Sequence, residues 1–192
     1  TWVPLNESWG VQHIAHDPRM QEYAASLVSL TRALDPSRPV ISNDGWEHVD
    51  SDILSIHDYE ASGEVVAARY GSAEAIDALV DGVGPAGRRM LVRGARDPEA
   101  PVMLTEFGGV SFVDRAHDVD GAWGYSAASS PEDFAERVGA LLAATHASPV
   151  LAGFCYTQLA DTGQETNGLV TDDRRPKAPI ERIRAMVLGQ AS

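Results

Sequence analysis

Two glutamates could do chemistry, because each ends a short apolar run. Glu7 follows the run at residues 2–6, and Glu106 follows the run at residues 101–105. Taken singly, either carboxylate is explained by a structural role as well as by a chemical one. The structural role would be to cap the following helix or to pair with an arginine. A converging pair is what cleavage of a glycosidic bond requires, because one carboxyl group protonates the leaving oxygen while the other attacks the anomeric carbon. The pair makes this reaction the first hypothesis.

The elements that position these glutamates are predicted to be strands alternating with helices. Near-continuous apolar runs are typical of strands that are covered on both faces in a parallel sheet. The runs lie at residues 2–5, 39–42, 53–56, 101–105 and 150–156. Polar residues follow them, at the strand ends where α/β barrels and open α/β sheets carry their chemistry. No glycine-rich phosphate loop follows any run, which disfavours a nucleotide-binding sheet.

Four helices are predicted between and after the strands. Asp17 and Ser130 are typical N-cap residues, and a proline follows each of them at the first helical position. The first helix is predicted to bury a stripe formed by Met20, Tyr23, Leu27, Leu30 and Leu34. The second is predicted to bury Phe134, Val138, Leu141 and Leu142. Shorter helices are predicted near residues 73–80 and 180–187, with long loops at residues 81–100 and 108–129.

Composition narrows the classes of partner. The 192 residues carry 28 acidic and 15 basic side chains, a net charge of −13. Such a chain repels the nucleic-acid backbone and anionic membrane surfaces, whereas a neutral sugar is compatible with it. No run in these residues approaches the ~18 apolar residues of a membrane span, and they contain no signal peptide. A bacterial cytoplasmic location is the favoured expectation, although the presence of a targeting signal upstream of Thr1 is left open. Cys155 is the only cysteine and is predicted to be a small buried hydrophobe.

Three ordered motifs resemble glycoside hydrolase family 2, which includes the β-galactosidases and β-glucuronidases. Residues 2–7, Trp-x-Pro-x-Asn-Glu, are similar to the fourth-strand motif of that family, and residues 101–109 are similar to its seventh-strand nucleophile motif. Residues 153–177 resemble its eighth strand and the chain that leaves it. The resemblance implies an α/β fold of the (β/α)8 TIM-barrel type. Residues 1–192 would form a partial barrel domain that supplies only the fourth to eighth βα units.

The resemblance also implies roles for individual residues. It implies a retaining double displacement on β-glycosides, with Glu7 as general acid/base and Glu106 as nucleophile. Asn6 matches the residue that bonds the sugar 2-hydroxyl, and Tyr59, just after His57, matches a tyrosine that bonds the nucleophile. We therefore expect Asn6, His57 and Tyr59 to bind substrate. No cofactor and no metal is expected.

Two further aromatic residues are candidate sugar contacts. Tyr156 lies where many related barrels carry a tryptophan under the sugar, and its ring can still stack on a sugar. Trp123 lies in a long loop, where a sugar platform and a loop anchor are equally good explanations.

Five strands cannot close an eight-stranded barrel, and two open sheet edges would remain. A fragment of a longer enzyme is favoured over a chain that pairs with another. The alternative without catalysis is an inert half-barrel that self-associates, for example as a homodimer through its open edges. Thr1 as an N-terminal nucleophile is a third hypothesis. It is disfavoured because Trp2 already belongs to the first predicted strand.

Overall fold

A computed structural model describes residues 1–94, 96–114 and 119–190. The chain divides into two compact units. Unit 1 comprises residues 1–58, 73–106 and 150–154, and unit 2 comprises residues 59–72, 107–149 and 155–192. The boundary between the units passes through two of the strands, so each of these strands contributes residues to both units.

Helices and strands alternate along most of the chain, as the apolar pattern predicts. In chain order they are α1 (Pro18–Leu34), β1 (Leu54–Asp58), α2 (Gly63–Arg69), α3 (Ala73–Asp81), β2 (Val102–Gly108), β3 (Val110–Ser111), β4 (Ser126–Ala127), α4 (Pro131–Ala147), β5 (Leu151–Thr157) and α5 (Ile180–Val187). The fold is therefore α/β with a parallel sheet. No helix in the described part of the chain is long and apolar enough to cross a membrane.

Three of the five predicted strands form the main sheet, in the order β1-β2-β5. The two predicted strands that precede β1 are not regular strands. Their segments meet only through isolated parallel bridges, Trp2 with Val40 and Asn6 with Asp44. The physical reason lies in the backbone N–H groups of Val40 and Ser42, which donate to the side chains of Asp52 and Ser51 instead of to a neighbouring strand. The prediction of two full strands there was wrong, although the parallel pairing is present.

In unit 1, α1 begins where the sequence predicts but buries a different face. Asp17 caps it by accepting a hydrogen bond from the backbone N–H of Arg19. The buried residues are Ala24 and Val28, and Ala24 belongs to a core cluster with Val11, Ile14 and Val49. The predicted stripe was wrong for Tyr23, Leu30 and Leu34, which are 54%, 55% and 78% exposed, whereas Met20 does pack against this cluster.

In unit 2, α4 is the central helix and its predicted face is confirmed. Ser130 caps it by accepting a hydrogen bond from the backbone N–H of Asp133. The four residues predicted to be buried are all fully buried: Phe134, Val138, Leu141 and Leu142. Helices α2 and α5 pack against α4. Helix α2 and the two-residue strands β3 and β4, which pair in parallel, were not predicted.

Strand β5 differs from β1 in how well it is covered. All five residues of β1 are buried, whereas in β5 every residue is at least partly exposed. Cys155 is exposed, so the prediction that it is a buried hydrophobe was wrong. Its apolar neighbours in sequence are typical of a strand covered on both faces, but every residue of β5 keeps some exposed surface.

Candidate functional site

Glu7 lies in a tight turn at the end of the first bridged segment. The backbone N–H of Glu7 donates to the carbonyl of Asp44 (3.0 Å), and the N–H of Trp9 donates to the carbonyl of Asn6 (3.0 Å). Both central residues of this turn have positive φ, 52° at Glu7 and 59° at Ser8. Glycine and asparagine favour such turns, and another residue in this region costs about 1–3 kcal/mol. The turn is therefore a strained way to present the Glu7 carboxylate.

His57, in β1, brings Glu7 and Glu106 together. Its Nδ1 lies 2.8 Å from Oε1 of Glu7 and 3.4 Å from Oε2 of Glu106. The imidazole is fully buried, whereas the side chains of Glu7 and Glu106 remain 24% and 28% exposed. One oxygen of each carboxylate and one nitrogen of His57 all lie within 4.8 Å of one another. The two glutamates that the sequence selects thus converge in unit 1 on a single histidine.

Asp44 holds the other side of the His57 ring. Oδ2 of Asp44 lies 3.4 Å from Nε2 of His57, and Oδ1 accepts a hydrogen bond from the Thr105 hydroxyl (2.7 Å). Burial opposes ionisation of Asp44, but the neighbouring His57, Ser55 and Thr105 outweigh this effect and lower the pKa of Asp44 to about 2. Burial also lowers the pKa of His57, but Asp44, Glu7 and Glu106 outweigh it, so the net pKa is raised. The site therefore favours the imidazolium form of His57.

Close packing fixes the His57 ring in this position. Gly45 has φ +97°, and a Cβ atom there would lie 2.7 Å from Cγ of His57, so only glycine fits without displacing the ring. The Trp46 ring meets the His57 ring edge-on, with the centroids 5.7 Å apart. The Arg88 guanidinium lies over the indole, 5.8 Å from the ring centroid. The imidazole is thus held by packing as well as by charge.

Sequence reasoning missed Asp44 as a site residue. The signal that could have found it is its position after the predicted strand at residues 39–42, equivalent to that of Glu7 and Glu106 after their runs. The sequence Asn-Asp-Gly at residues 43–45 is also typical of a simple turn. Because a turn explains these residues by itself, Asp44 was not selected as a site residue.

Glu7, His57 and Glu106 could together present three ligand atoms to a cation. Oxygen and imidazole donors suit several divalent metals. Because the pKa of His57 is raised, a cation would have to displace a proton that the three carboxylates hold. The donor set is therefore better matched to a proton than to a metal near neutral pH.

Two of the predicted aromatic contacts lie in one cluster in unit 2. The Tyr59 ring stacks on that of Tyr125, with centroids 3.5 Å apart and planes at 4°, and the Trp123 ring meets Tyr125 edge-on at 5.7 Å. Trp123 is 46% exposed and Tyr125, which sequence reasoning missed, is 49% exposed. Gly109 allows the approach, because a Cβ atom there would lie within 3 Å of both tyrosine rings. This cluster offers flat apolar surface of the kind on which sugars stack.

Asn6 and Tyr156 are placed separately. The Asn6 backbone pairs with Asp44, and its side chain is exposed. In unit 2 the Tyr156 ring meets Phe107 edge-on at 5.5 Å and covers Gly108, where a Cβ atom would lie 2.3 Å from the tyrosine ring. Burial raises the pKa of the Tyr156 hydroxyl, which therefore stays protonated. The substrate contacts of both residues remain predictions.

Comparison with known proteins shows which solved structures share the fold of this chain. No protein-family model and no curated protein matches the chain. Solved structures do match. A GH2 β-galacturonidase from Eisenbergiella tayi, bound to galacturonate, superposes with a TM-score of 0.58 at 15% identity, over 89% of this chain and 30% of that chain.

Two β-glucuronidases give the same result. The Faecalibacterium prausnitzii enzyme matches with a TM-score of 0.56 at 22% identity, over 90% of this chain and 29% of that chain. The enzyme from an uncultured Clostridium matches with a TM-score of 0.58 at 16% identity, over 93% of this chain and 31% of that chain. The chain shares its fold with part of the family 2 glycoside hydrolases. It spans about 30% of the length of the structures it matches, and the resemblance in the sequence is confirmed at the level of the fold.

Proposed function

We propose that this chain carries the catalytic pair of a retaining β-glycosidase of glycoside hydrolase family 2. The observation that carries the proposal is the approach of Glu7 and Glu106, which have an oxygen each within 4.8 Å of the other. Retaining enzymes hold their two carboxyl groups about 5–5.5 Å apart, whereas inverting enzymes hold them about 6.5–9.5 Å apart to admit a water molecule. The close approach of one oxygen from each carboxylate is compatible with the retaining spacing.

The proposed reaction has two displacements. In the first, a Glu106 oxygen forms a bond to the anomeric carbon while the bond to the leaving oxygen breaks, and Glu7 gives its proton to that oxygen. In the second, Glu7 takes a proton from water, the water oxygen bonds to the anomeric carbon, and the Glu106 carboxylate is released. Configuration at the anomeric carbon is inverted twice and so is retained.

His57 acts within this scheme by balancing charge. Before the first step Glu7 carries the proton that it will donate and Glu106 is ionised, and the His57 imidazolium, with Nδ1 3.4 Å from Oε2 of Glu106, offsets that charge. Asp44 keeps the ring protonated and oriented from its other side. When Glu106 becomes an ester in the intermediate, its negative charge disappears, and the imidazolium then favours Glu7 as a carboxylate. That is the form that Glu7 needs as a base towards water.

The remaining predicted residues would bind the sugar. Asn6 would bond the 2-hydroxyl and Tyr59 would bond the nucleophile, as the family resemblance implies. Trp123 and Tyr156 would offer aromatic surface to the sugar or its leaving group. The exposed, stacked arrangement of Trp123 with Tyr125 and Tyr59 supports this assignment for Trp123.

We further propose that residues 1–192 are one partial (β/α)8 domain containing the fourth to eighth βα units. The parallel sheet and the match to about 30% of longer solved chains support this assignment. So does the exposed apolar side of α1, formed by Tyr23, Leu30 and Leu34, since a neighbouring βα unit would cover such a surface.

The test uses paired variants of the complete natural protein with aryl β-glycosides of graded leaving-group ability. Glu106→Ala should abolish turnover of every substrate. Glu7→Ala should spare the first step for substrates whose leaving groups need no proton, and azide should partly restore turnover. Glu22→Ala, at an exposed glutamate paired with Arg93, is the control and should behave as the wild type.

The stereochemistry of the product gives an independent check. NMR observation of the first-formed sugar should show the β-anomer from a β-glycoside. An α-anomer, or equal losses on all substrates in both variants without azide rescue, would contradict the assignment.

A further inference from the structure

Ser8, the residue after Glu7, is buried in an unusually dense set of hydrogen bonds. Its hydroxyl donates to Oε2 of Glu47 and accepts from Nδ2 of Asn43 (3.0 Å). Its backbone N–H donates to Oδ1 of Asn43 (2.9 Å). Ser8, Asn43 and Glu47 are 1%, 0% and 2% exposed. These three side chains form a closed polar network directly behind the Glu7 turn.

We infer that Ser8, Asn43 and Glu47 are positioning residues that hold Glu7 in its catalytic geometry. The inference rests on the proposed function, because it assigns these residues to the general acid/base. None of the three has been given a role in the chemistry above. They act through the backbone of the turn and not through contact with the substrate.

The first argument is the conformation of the turn. Glu7 and Ser8 are consecutive non-glycine residues with positive φ, and nothing in their side chains favours that region. Left to local preferences, the turn would relax and the Glu7 carboxylate would move. The two hydrogen bonds that join Ser8 to Asn43 and the one to Glu47 fix Ser8 from outside the turn, so they determine where Glu7 points.

The second argument is the cost of burying Glu47. A buried carboxylate is unfavourable unless hydrogen bonds and charges compensate it. Glu47 itself has positive φ (51°), and Oε1 lies 3.7 Å from the Arg88 guanidinium. Glu47 thus combines a buried carboxylate with a positive φ, and both features are unfavourable. The hydrogen bond that its side chain accepts from Ser8 connects it to the Glu7 turn. Such strain accumulates where a particular geometry is required.

The predicted consequence is specific to acid/base catalysis. A displacement of about 1 Å at a catalytic group can lower a rate by about 10²-fold. Moving Glu7 impairs proton donation to poor leaving groups and activation of water in the second step, and leaves attack by Glu106 intact. A general loss of structure would instead lower kcat equally for all substrates at an unchanged KM.

The experiment compares Ser8→Ala with Ser42→Ala in the complete natural protein. Ser42 is also fully buried in unit 1, where its hydroxyl bonds Ser51 and the backbone of Val49, with no bond to the Glu7 turn. Ser8→Ala should lower kcat/KM about 10²-fold for a poor leaving group and leave it unchanged for a dinitrophenyl glycoside. With the latter substrate kcat and KM should fall together, because the intermediate accumulates, and azide should raise kcat. Ser42→Ala should show none of these effects.

Two further variants keep the test decisive if Ser8→Ala does not fold. Ser8→Gly tolerates the positive φ and also lacks the hydroxyl, so it should show the same dependence on leaving group. Glu47→Gln keeps an acceptor for the Ser8 hydroxyl and should retain most of the wild-type activity. Glu47→Met lacks this acceptor and should behave like Ser8→Ala.

Glu7→Gln separates the two proposals. Suppose that Glu7→Gln shows the dependence on leaving group, but the Ser8 and Glu47→Met variants lower kcat/KM equally for all substrates or do not lower it. The positioning role is then wrong. If Glu7→Gln itself shows no such dependence, the proposed function fails instead.

Discussion

His48 and His57 are both buried in unit 1, yet their pKa values shift in opposite directions. Burial lowers the pKa of His48 to about 4, and its ring suits the neutral form: Nε2 lies 2.8 Å from the Ser55 carbonyl and Nδ1 lies 2.9 Å from the Ser51 hydroxyl. At His57 burial acts in the same direction, but the surrounding carboxylates outweigh it and raise the pKa. Solvent exclusion alone therefore does not decide the charge of a histidine here.

The pKa shifts of His48 and His57 predict that the free energy of unfolding is greatest near about pH 6.5 and falls at both lower and higher pH. Between pH ~4 and ~6.5 the unfolded chain protonates His48 and the folded chain does not, so the free energy of unfolding rises with pH. The full contribution is on the order of 3 kcal/mol, at about 1.4 kcal/mol for each pKa unit. Above ~6.5 only the folded chain keeps the proton on His57, and stability falls as pH rises through the folded pKa of His57.

Urea unfolding from pH 4 to 9 measures these slopes in single variants. His48→Gln should flatten the acidic slope, and His57→Asn should flatten the alkaline one. His13→Gln, at an exposed histidine, is the control and should leave both unchanged. An alkaline slope that persists unchanged in His57→Asn would show that His57 does not hold the extra proton.

At the scale of residues, the sequence predicted which residues lie together in the site better than it predicted their backbone conformation. Glu7, Glu106 and His57 were selected from their places at strand ends, and the structure brings all three together. The positive φ of Glu7 and Ser8 could not be predicted, because local preferences oppose it and only contacts with Asn43 and Glu47, distant in the chain, explain it.

At the scale of elements, two glycines of unit 2 have opposite roles. Gly63 begins α2, and a Cβ atom there would lie 2.7 Å from the backbone carbonyl oxygen of Ala140 in α4. Gly139 lies inside α4, and a Cβ atom there would meet only the flexible side chain of Met186, at 3.0 Å. The first glycine sets the approach of two helices, and the second only weakens one helix.

Gly63→Ala should therefore destabilise the protein, because backbone cannot move aside as a side chain can. Gly139→Ala should be neutral or stabilising, since alanine in a helix interior is favoured over glycine by about 1 kcal/mol. Thermal unfolding of the two variants, which add the same methyl group, checks the prediction. Equal shifts in Tm would argue that the α2–α4 contact does not depend on Gly63.

Helix ends were more predictable than helix faces. The caps at Asp17 and Ser130 are local signals, read from one residue and the proline after it, and both are confirmed. The buried face of α1 was predicted only in part, because it depends on which neighbouring residues pack there, and Ala24 and Val28 are its buried residues. Strands β3 and β4 have two residues each, too few for any periodic pattern to show.

At the scale of the whole chain, apolar surface remains exposed. Leu30 and Leu34 project from α1 with 55% and 78% of their surface exposed, and Cys155 is exposed in β5. The net charge of −13 favours solubility through mutual repulsion, but its effect weakens with salt. Burial of the apolar side of α1 against a second copy would oppose that repulsion.

The isolated 192-residue chain is therefore predicted to self-associate and to have little glycosidase activity. Glycosidic cleavage depends on a dry, enclosed site, and Glu7 and Glu106 in this chain are partly exposed to water. Light scattering at rising salt should show mass increasing beyond the monomer, and the double variant Leu30→Gln, Leu34→Gln should reduce it. Val83→Gln, which removes an apolar side chain that is 65% exposed elsewhere in unit 1, should not. A monomer at all salt concentrations that turns over aryl β-glycosides as fast as the complete protein would show that these residues form a self-sufficient enzyme.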